Sequence, residues 1–552
     1  MPMHGVRKYA LLCLLLVGCH GEQRPNVLVI MADDMGFSDI SPYGGEISTP
    51  NLERLAAGGL RFTQFYNAAR CCPTRASLLT GLYPHQAGVG HMTGDYGLPG
   101  YRGELSAQSV TIAQVLRAAG YDTYMSGKWH VTGQLGTWSG DSSRTSKENW
   151  PLQRGFGEFY GTILGAGSFY DPITLTRGNT PIVPETEDFY YTDAISDQAI
   201  EYVSSHTRNS EDRPFFLYVA YTAPHWPLQA PDEDIARYKG RYDAGWDALR
   251  AERHAHMTAM GILDQEWPIT PRDPRVPAWE EVPEEERAWY TRAMEVYAAQ
   301  VDRMDQGIGR IVSALEAAGQ LENTLVMFLA DNGGCAEVLT PAWRGLFLPK
   351  ETRDGQPVAI GNDISRMPGP EESYQSYGPA WANASNTPFR LYKHWVHEGG
   401  IATPFIMHWP ARLRDGGGLT TEVGHIIDVM ATALDAAGSA YPTEYGGHAI
   451  LPMEGESLLP ILDDTDIMRG PLFWEHEGNR AIREGRWKLV STFHGEWELY
   501  DMDRDRSEMH DLSRDYPART ARMTAMYARW ARRAQVLSLD ELRAHRQRRA
   551  SR

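Results

Sequence analysis

The chain has 552 residues, with 53 basic against 71 acidic side chains for a formal net charge of -18, 42% hydrophobic residues and only 5 cysteines. Such a charge balance repels phosphate backbones and anionic headgroups, which speaks against nucleic-acid binding, and the length allows either several units or one large α/β domain with an appendage. So few cysteines cannot form a disulfide scaffold, and no paired C-x-x-C units are present to hold a structural zinc.

The first predicted element is an export signal. His4, Arg7 and Lys8 precede an apolar run from Tyr9 to Val17, too short to span a bilayer, and Gly18 and Cys19 follow. Leu16-Val17-Gly18-Cys19 resembles a bacterial lipoprotein box, which implies cleavage after residue 18 and a diacylglycerol on the Cys19 thiol. The alternative is an ordinary secretory signal cut a few residues later. Either way the expectation is an exported protein, periplasmic or on the cell surface of a bacterium, touching membrane only through that lipid. Loss of residues 1–18 removes Arg7 and Lys8 and deepens the acidic excess. No later segment is apolar enough for a transmembrane helix.

Val27 to Met31 is a continuous apolar run ending in Asp33-Asp34, and reads as a buried central strand presenting acids at its C-terminal end. Phe215 to Tyr221 reads as another, ending in Ala223-Pro224-His225. A helix is predicted over Glu284 to Ala318, with Ala293, Tyr297, Val301 and Ile308 at helical spacing and Gly319 as the stop. Thr324 to Ala330 then repeats the first design and ends in Asp331-Asn332. Strands alternating with helices predict a large α/β sheet sandwiched by helices, with ligands beyond the strands' carboxyl ends.

After about Pro460 the texture shortens to Gly470–Glu475, Ala481–Arg483, Trp487–Thr492 and Glu498–Tyr500, followed by a helix from about Pro517 to Ala534 and an Arg-rich tail. This predicts a small antiparallel sheet with one helix on it, and divides the chain into a signal at 1–18, a catalytic unit at 24–465 and a smaller α+β unit at 466–552. The tail reads as a solvated helix end.

The chemistry concentrates in Cys71-Cys72-Pro73-Thr74-Arg75-Ala76-Ser77-Leu78-Leu79-Thr80-Gly81. Asp33, Asp34, Asp331 and Asn332 form an all-oxygen set suited to a hard divalent cation, Ca²⁺ or else Mg²⁺. Three clustered carboxylates without such a cation would repel one another. Gly127-Lys128-Trp129-His130, Pro224-His225 and Asn386 to Lys393 add cations and imidazoles fit to stabilise an anionic ester and protonate a leaving group. Taken singly, each aspartate reads as a helix cap and each histidine as a satisfied structural residue.

Together these segments resemble type I sulfatases of the alkaline phosphatase superfamily, whose signature is C-x-P-x-R followed by T-G. Register selects Cys71, because Cys72 would have Thr74 at the proline position. Thr49-Pro50-Asn51-Leu52, Tyr83-Pro84-His85, Arg154-Gly155-Phe156, Lys239 to Asp243 and His425 to Asp428 extend the likeness over roughly residues 25–535, leaning toward bacterial arylsulfatases. The resemblance implies that a separate maturation enzyme oxidises Cys71 to formylglycine, and that this residue completes the metal shell of Asp33, Asp34, Asp331 and Asn332. Its hydrated aldehyde would attack the sulfur of a sulfate ester, the alcohol would leave, and the sulfated enzyme would eliminate sulfate. Arg75, Lys128 and Lys393 would stabilise charge, His225 with Lys393 would protonate the leaving group, and His130 would be the base for elimination. Asp331 is a further candidate base.

A phosphonate monoester or phosphodiester hydrolase on the same site, and an inactive lipoprotein binding sulfated glycans, are the alternatives. Gly165-Ala166-Gly167 and Gly307-Ile308-Gly309 lack the third glycine of a dinucleotide site, and neither a G-K-[ST] phosphate loop nor a G-x-S-x-G elbow is present. Cys335 reads as a packed residue near the site. His85, His91 and the segment around Asp171 are candidates for the pocket wall.

Overall fold

A computed structural model describes residues 24–138, 145–210, 212–264, 267–413 and 415–551. The export signal, with Cys13 and Cys19, lies outside the described residues. Among them, no helix is long and apolar enough to cross a membrane.

Ten strands form one mixed sheet. In chain order they are β1 (Asn26–Ala32), β2 (Leu60–Tyr66), β3 (Asp122–Gly127), β4 (Glu158–Thr162), β5 (Leu175–Arg177), β6 (Thr180–Pro181), β7 (Phe215–Ala220), β8 (Thr324–Ala330), β9 (Ala402–His408) and β10 (Gly418–His425). Across the sheet the order is β10-β2-β9-β8-β1-β7-β3-β4-β5-β6. The central run β8-β1-β7-β3-β4 is parallel, whereas β9 runs antiparallel to both β8 and β2. Every residue of β1, β7 and β8 is buried, which is why these strands read as unbroken apolar runs.

Helices Tyr191–Ser210 and Glu284–Ala317 pack against each other, the former also against β3, β4 and β7. Cys71–Thr80, Ile112–Ala118 and Asp428–Ala436 form a second packed group, touching the sheet at β3 and β10. The Glu284–Ala317 helix opens with three glutamates in its first turn, favourable to the macrodipole, and Gly319 follows its C-cap at φ 65°.

The C-terminal sheet is antiparallel, β11 (Leu472–His476), β12 (Asn479–Glu484), β13 (Trp487–Ser491) and β14 (Glu498–Asp501), with helix Pro517–Arg533 against β12 and β13. A buried ionic group joins it to the large sheet: Lys488 Nζ lies 2.8 Å from Glu398 and 2.7 Å from Glu508, and Arg506 Nε lies 3.1 Å from Glu398. Leu539–Ala550, expected as a solvated helix end, is a separate helix. Ser538 and Glu541 form its capping box, and His545 Nε2 packs 3.0 Å from the Tyr96 carbonyl.

The topology gathers the chemistry at one edge. Ala32 pairs in register with Ala330, so Asp33 and Asp331 leave neighbouring strands together. β7 and β3, the next strands across, deliver His225 and Lys128–His130 to the same carboxyl ends.

Candidate active site

Asp33, Asp34, Asp331 and Asn332 are at most 2% exposed. Asp34 sits in left-handed backbone at φ 62°, which turns its N–H onto Asp331 Oδ1 at 3.2 Å. Asn332 Nδ2 donates to Asp34 Oδ1 at 2.7 Å. Asp33 Oδ1 and Asn332 Oδ1 are buried acceptors without a hydrogen-bond partner. Unpartnered buried oxygens in an all-oxygen set are what a hard cation would satisfy, so these residues fit Ca²⁺ or Mg²⁺.

Three cations face the three carboxylates. Arg75 donates through Nε and Nη2 to Asp331 Oδ2 at 3.0 and 2.8 Å and through Nη1 to the Lys128 carbonyl at 3.1 Å. Lys128 Nζ meets Asp33 Oδ2 at 2.5 Å and Lys393 Nζ meets Asp34 Oδ1 at 2.7 Å. Burial and the Asp331 charge push Asp33 well above the usual carboxylate range. For Asp34 burial pulls upward too, but the Lys393 charge and the hydrogen bond from Asn332 work against it and hold the group low. The formal charges cancel, so a divalent cation would leave the site net positive, as an anionic ester requires. Asp331 has both oxygens occupied by Arg75 and the Asp34 amide, which suits a fixed acceptor better than a base.

Cys71 begins the helix Cys71–Thr80, where the helix dipole favours negative charge, and is 2% exposed. A hydrogen bond from Cys72, and then Lys128, His130 and Lys393, hold its thiol well below the usual range against burial. The Cys71 and Cys72 sulfurs and a His130 nitrogen lie within 4.8 Å of one another. Cys72 Sγ turns to Met92 Sδ at 3.4 Å. Both are free thiols. His130, left-handed at φ 52°, is backed by Gly165: a Cβ there would lie 2.1 Å from its Cε1.

His225 Nδ1 donates to the Trp226 carbonyl at 2.6 Å, and its Nε2 lies 3.5 Å from Lys393 Nζ and 3.4 Å from Asp34 Oδ2. Burial, with Lys393 also opposing protonation, lowers His225 to about 3. The ring is therefore neutral, and the nearest proton for Nε2 is on Lys393.

The residues read as catalytic or metal-binding thus lie together at the carboxyl ends of the central strands. His85 does not join them: its buried ring is bonded to Glu475 at 2.8 Å and packs on Tyr101 and Trp530. Cys335 packs in a small cluster with Trp226, Leu339 and Tyr374. Sequence reasoning missed Glu337, which accepts from Arg70 at 2.9 Å and from Trp226 Nε1 at 3.0 Å. It ties the residue before Cys71 to the residue after His225, and a lone loop glutamate gives no sequence signal of this. Gly165, set aside with a failed dinucleotide pattern, serves instead as the surface behind His130.

A family model described as Sulfatase matches residues 25–439, and one described as N-sulphoglucosamine sulphohydrolase, C-terminal, matches residues 389–531. An arylsulfatase of Klebsiella aerogenes is 36% identical over 466 residues, covering 81% of this chain and 94% of its own. An uncharacterized sulfatase of Schizosaccharomyces pombe is 34% identical over 501 residues, covering 85% of this chain and 86% of its own. Among solved structures, the crystal structure of Ps i-CgsB superposes with a TM-score of 0.65 at 24% identity, covering 92% of this chain and 93% of that one, a likeness of fold.

Proposed function

This chain belongs to the sulfatase family and is an enzyme that hydrolyses sulfate esters, and from that premise we propose that position 71 is its nucleophile, matured from cysteine to formylglycine by a separate enzyme. The observation that supports this most is the Cys71 sulfur within 4.8 Å of a His130 nitrogen, in the field of Lys128 and Lys393 and in a site where Asp33 and Asn332 keep unpartnered oxygens. The hydrated aldehyde would supply one hydroxyl to attack sulfur and a second whose deprotonation releases sulfate. A divalent cation held by Asp33, Asp34, residue 71, Asp331 and Asn332, Ca²⁺ or Mg²⁺, would supply Lewis-acid stabilisation of the sulfuryl oxygens.

The chain's own groups do the rest. Lys128 and Lys393 place positive charge where the sulfuryl oxygens gain negative charge, and Arg75 holds Asp331 in place between them. Lys393 keeps the proton destined for the leaving oxygen, with the neutral Nε2 of His225 as its relay. His130, against Gly165 and next to residue 71, accepts the proton in the second half. The net reaction takes a sulfate monoester and water to an alcohol or phenol and hydrogen sulfate. Aryl or related sulfate monoesters are the proposed substrates.

Cys71→Ala should abolish turnover of an aryl sulfate without moving the thermal midpoint, and normal activity in that variant sinks the proposal. Comparing an aryl sulfate with an aryl phosphonate separates it from the phosphonate hydrolase reading: a higher kcat/KM on the phosphonate overturns it. The basic-apolar leader ending at Cys19 supports export as a lipoprotein, tested by fatty-acid labelling that Cys19→Ser should remove.

A further inference from the structure

Three imidazoles that the mechanism does not use surround one carboxylate. Glu477 and Gly478 form the two-residue turn between β11 and β12, with His476 and Asn479 paired at its base. The turn residues stand at φ 49° and 85°. A turn with both central residues left-handed ordinarily carries Asn-Gly or Asp-Gly, so a glutamate takes the first position against local preference. That position brings its carboxylate to histidines from two other segments: His91 Nε2 lies 2.9 Å from Oε1, and His394 Nδ1 lies 2.9 Å from Oε2.

His476 points to a ligand. Its side chain is fully buried, and neither ring nitrogen has a hydrogen-bond partner, a costly state inside a protein. Its Nε2 stands 4.0 Å from Glu477 Oε1, too far for a hydrogen bond. Two ligands of one tetrahedral zinc lie roughly 3.3 Å apart, given metal–ligand bonds of about 2.0–2.1 Å, so a small closure suffices. The His476 ring centre is 6.0 Å from that of His91 and 5.7 Å from that of His394. One nitrogen of His394, one of His476 and an oxygen of Glu477 all lie within 4.8 Å of one another. Burial holds His476 neutral, and hydrogen bonds from His394 and His91 keep Glu477 ionised against its own burial. Those are the protonation states a divalent ion needs in its ligands.

Tautomers decide which imidazoles would bind. The Asn479 amide is oriented by the Phe493 N–H on its oxygen, at 3.2 Å, and by the His476 carbonyl on its nitrogen, at 3.0 Å. Its nitrogen therefore donates to His394 Nε2 at 3.2 Å, which fixes the His394 proton on Nδ1, facing Glu477. His394 is thus a brace on the carboxylate. Nδ1 of His91 faces the Tyr96 hydroxyl, 3.4 Å away, and a hydroxyl can donate or accept. With the His91 proton on Nδ1, its Nε2 is free for a metal.

We propose that His91 Nε2, His476 Nε2 and Glu477 Oε1 form a zinc site, with the Nδ1–H of His394 holding Oε2 as an outer hydrogen bond. Imidazole donors select a borderline ion such as Zn²⁺, whereas the all-oxygen set of Asp33, Asp34, Asp331 and Asn332 suits a hard one. His91 and Glu477 keep 18% and 27% side-chain exposure, so an ion has an entry path and a water completes its shell. The ion ties the C-terminal sheet to the loop carrying His91. This site does not depend on the nucleophile or its maturation.

The full chain, stripped of transition metals and held in excess calcium, is titrated with Zn²⁺. One zinc should bind and raise the thermal midpoint, and its X-ray absorption spectrum should show nitrogen and oxygen neighbours at about 2.0–2.1 Å. Glu477→Gln, and His91→Gln on the more accessible loop, should each weaken zinc by at least about 100-fold, with near-ultraviolet circular dichroism confirming their fold. His394→Gln should weaken it by about 10–100-fold, the usual cost of losing an outer partner. A wild type that binds no zinc overturns the proposal, as does unchanged affinity in the Glu477 and His91 variants. So do sulfur neighbours at about 2.3 Å, which would place the ion at Cys71, Cys72 and His130 instead.

Discussion

His225 gives its Nδ1 proton to the carbonyl of Trp226 at 2.6 Å. A carbonyl can only accept, so in the neutral ring Nε2 has no proton of its own and faces Lys393.

Lys393 is therefore the proton source for the leaving oxygen, and its loss should depend on the leaving group. Lys393→Met should lower kcat on an alkyl sulfate by about 10²–10⁴-fold, the usual range for general acid catalysis. On 4-nitrophenyl sulfate, whose phenoxide departs readily, the fall should be at least tenfold smaller. Steady-state rates on both substrates check this, and equal losses would mean that Lys393 acts only through charge.

The unpartnered oxygens of Asp33 and Asn332 make divalent binding a stability term. Calcium at about 100 times its Kd should stabilise the wild type by about 2.7 kcal/mol, read as a rise in thermal midpoint. Asp33→Asn should remove most of that response. An identical response in the variant would place the ion elsewhere.

Gly165 has no room for a side chain, since a Cβ would lie 2.1 Å from His130 Cε1, whereas at Gly167 the nearest atom would be 3.5 Å away. Gly165→Ala should displace His130 and cut kcat by about 10–100-fold, the scale of a misplaced catalytic group. Gly167→Ala should stay near wild type. Similar kinetics in the two variants would free His130 from this dependence.

Acid stability has an identifiable contributor in Glu498 of β14, bonded to Tyr500 at 2.6 Å and to Arg390. Burial would raise its carboxyl, but His397 and Arg390 bring it from 4.5 to about 2. The folded value lies below the unfolded one, so the stability it confers is complete above about 4.5 and is lost as pH falls through about 2. At neutral pH that is worth about 2 kcal/mol after allowing for solvent screening. Glu498→Gln should flatten the denaturant-measured stability profile between those pH values, and an unchanged slope would contradict the assignment.

How much of this was legible in the sequence follows from how each part is encoded. β1 and β8 declared themselves because central parallel strands are apolar on both faces, and their terminal acids came with them. The antiparallel insertion of β9 between β2 and β8 was not readable, since strand order is set by packing among segments some 340 residues apart in the chain. The last helix announced itself only through Ser538 and Glu541, overshadowed by the arginines around them. Asp33 to Lys393 could be assembled because their neighbours form recognisable local patterns. Glu337, Gly165 and the His91–Glu477–His394 group could not, because each is a single residue whose meaning depends on a partner from another loop.

The central claim is that position 71 acts as an aldehyde hydrate, and mass spectrometry of the tryptic peptide carrying it tests that most directly. In active enzyme co-produced with its maturation partner, the account predicts a peptide in which the Cys71 thiol has become an aldehyde, trapped by a hydrazide probe, with activity rising in proportion to its fraction. Full activity in protein whose Cys71 remains an unmodified thiol would contradict it.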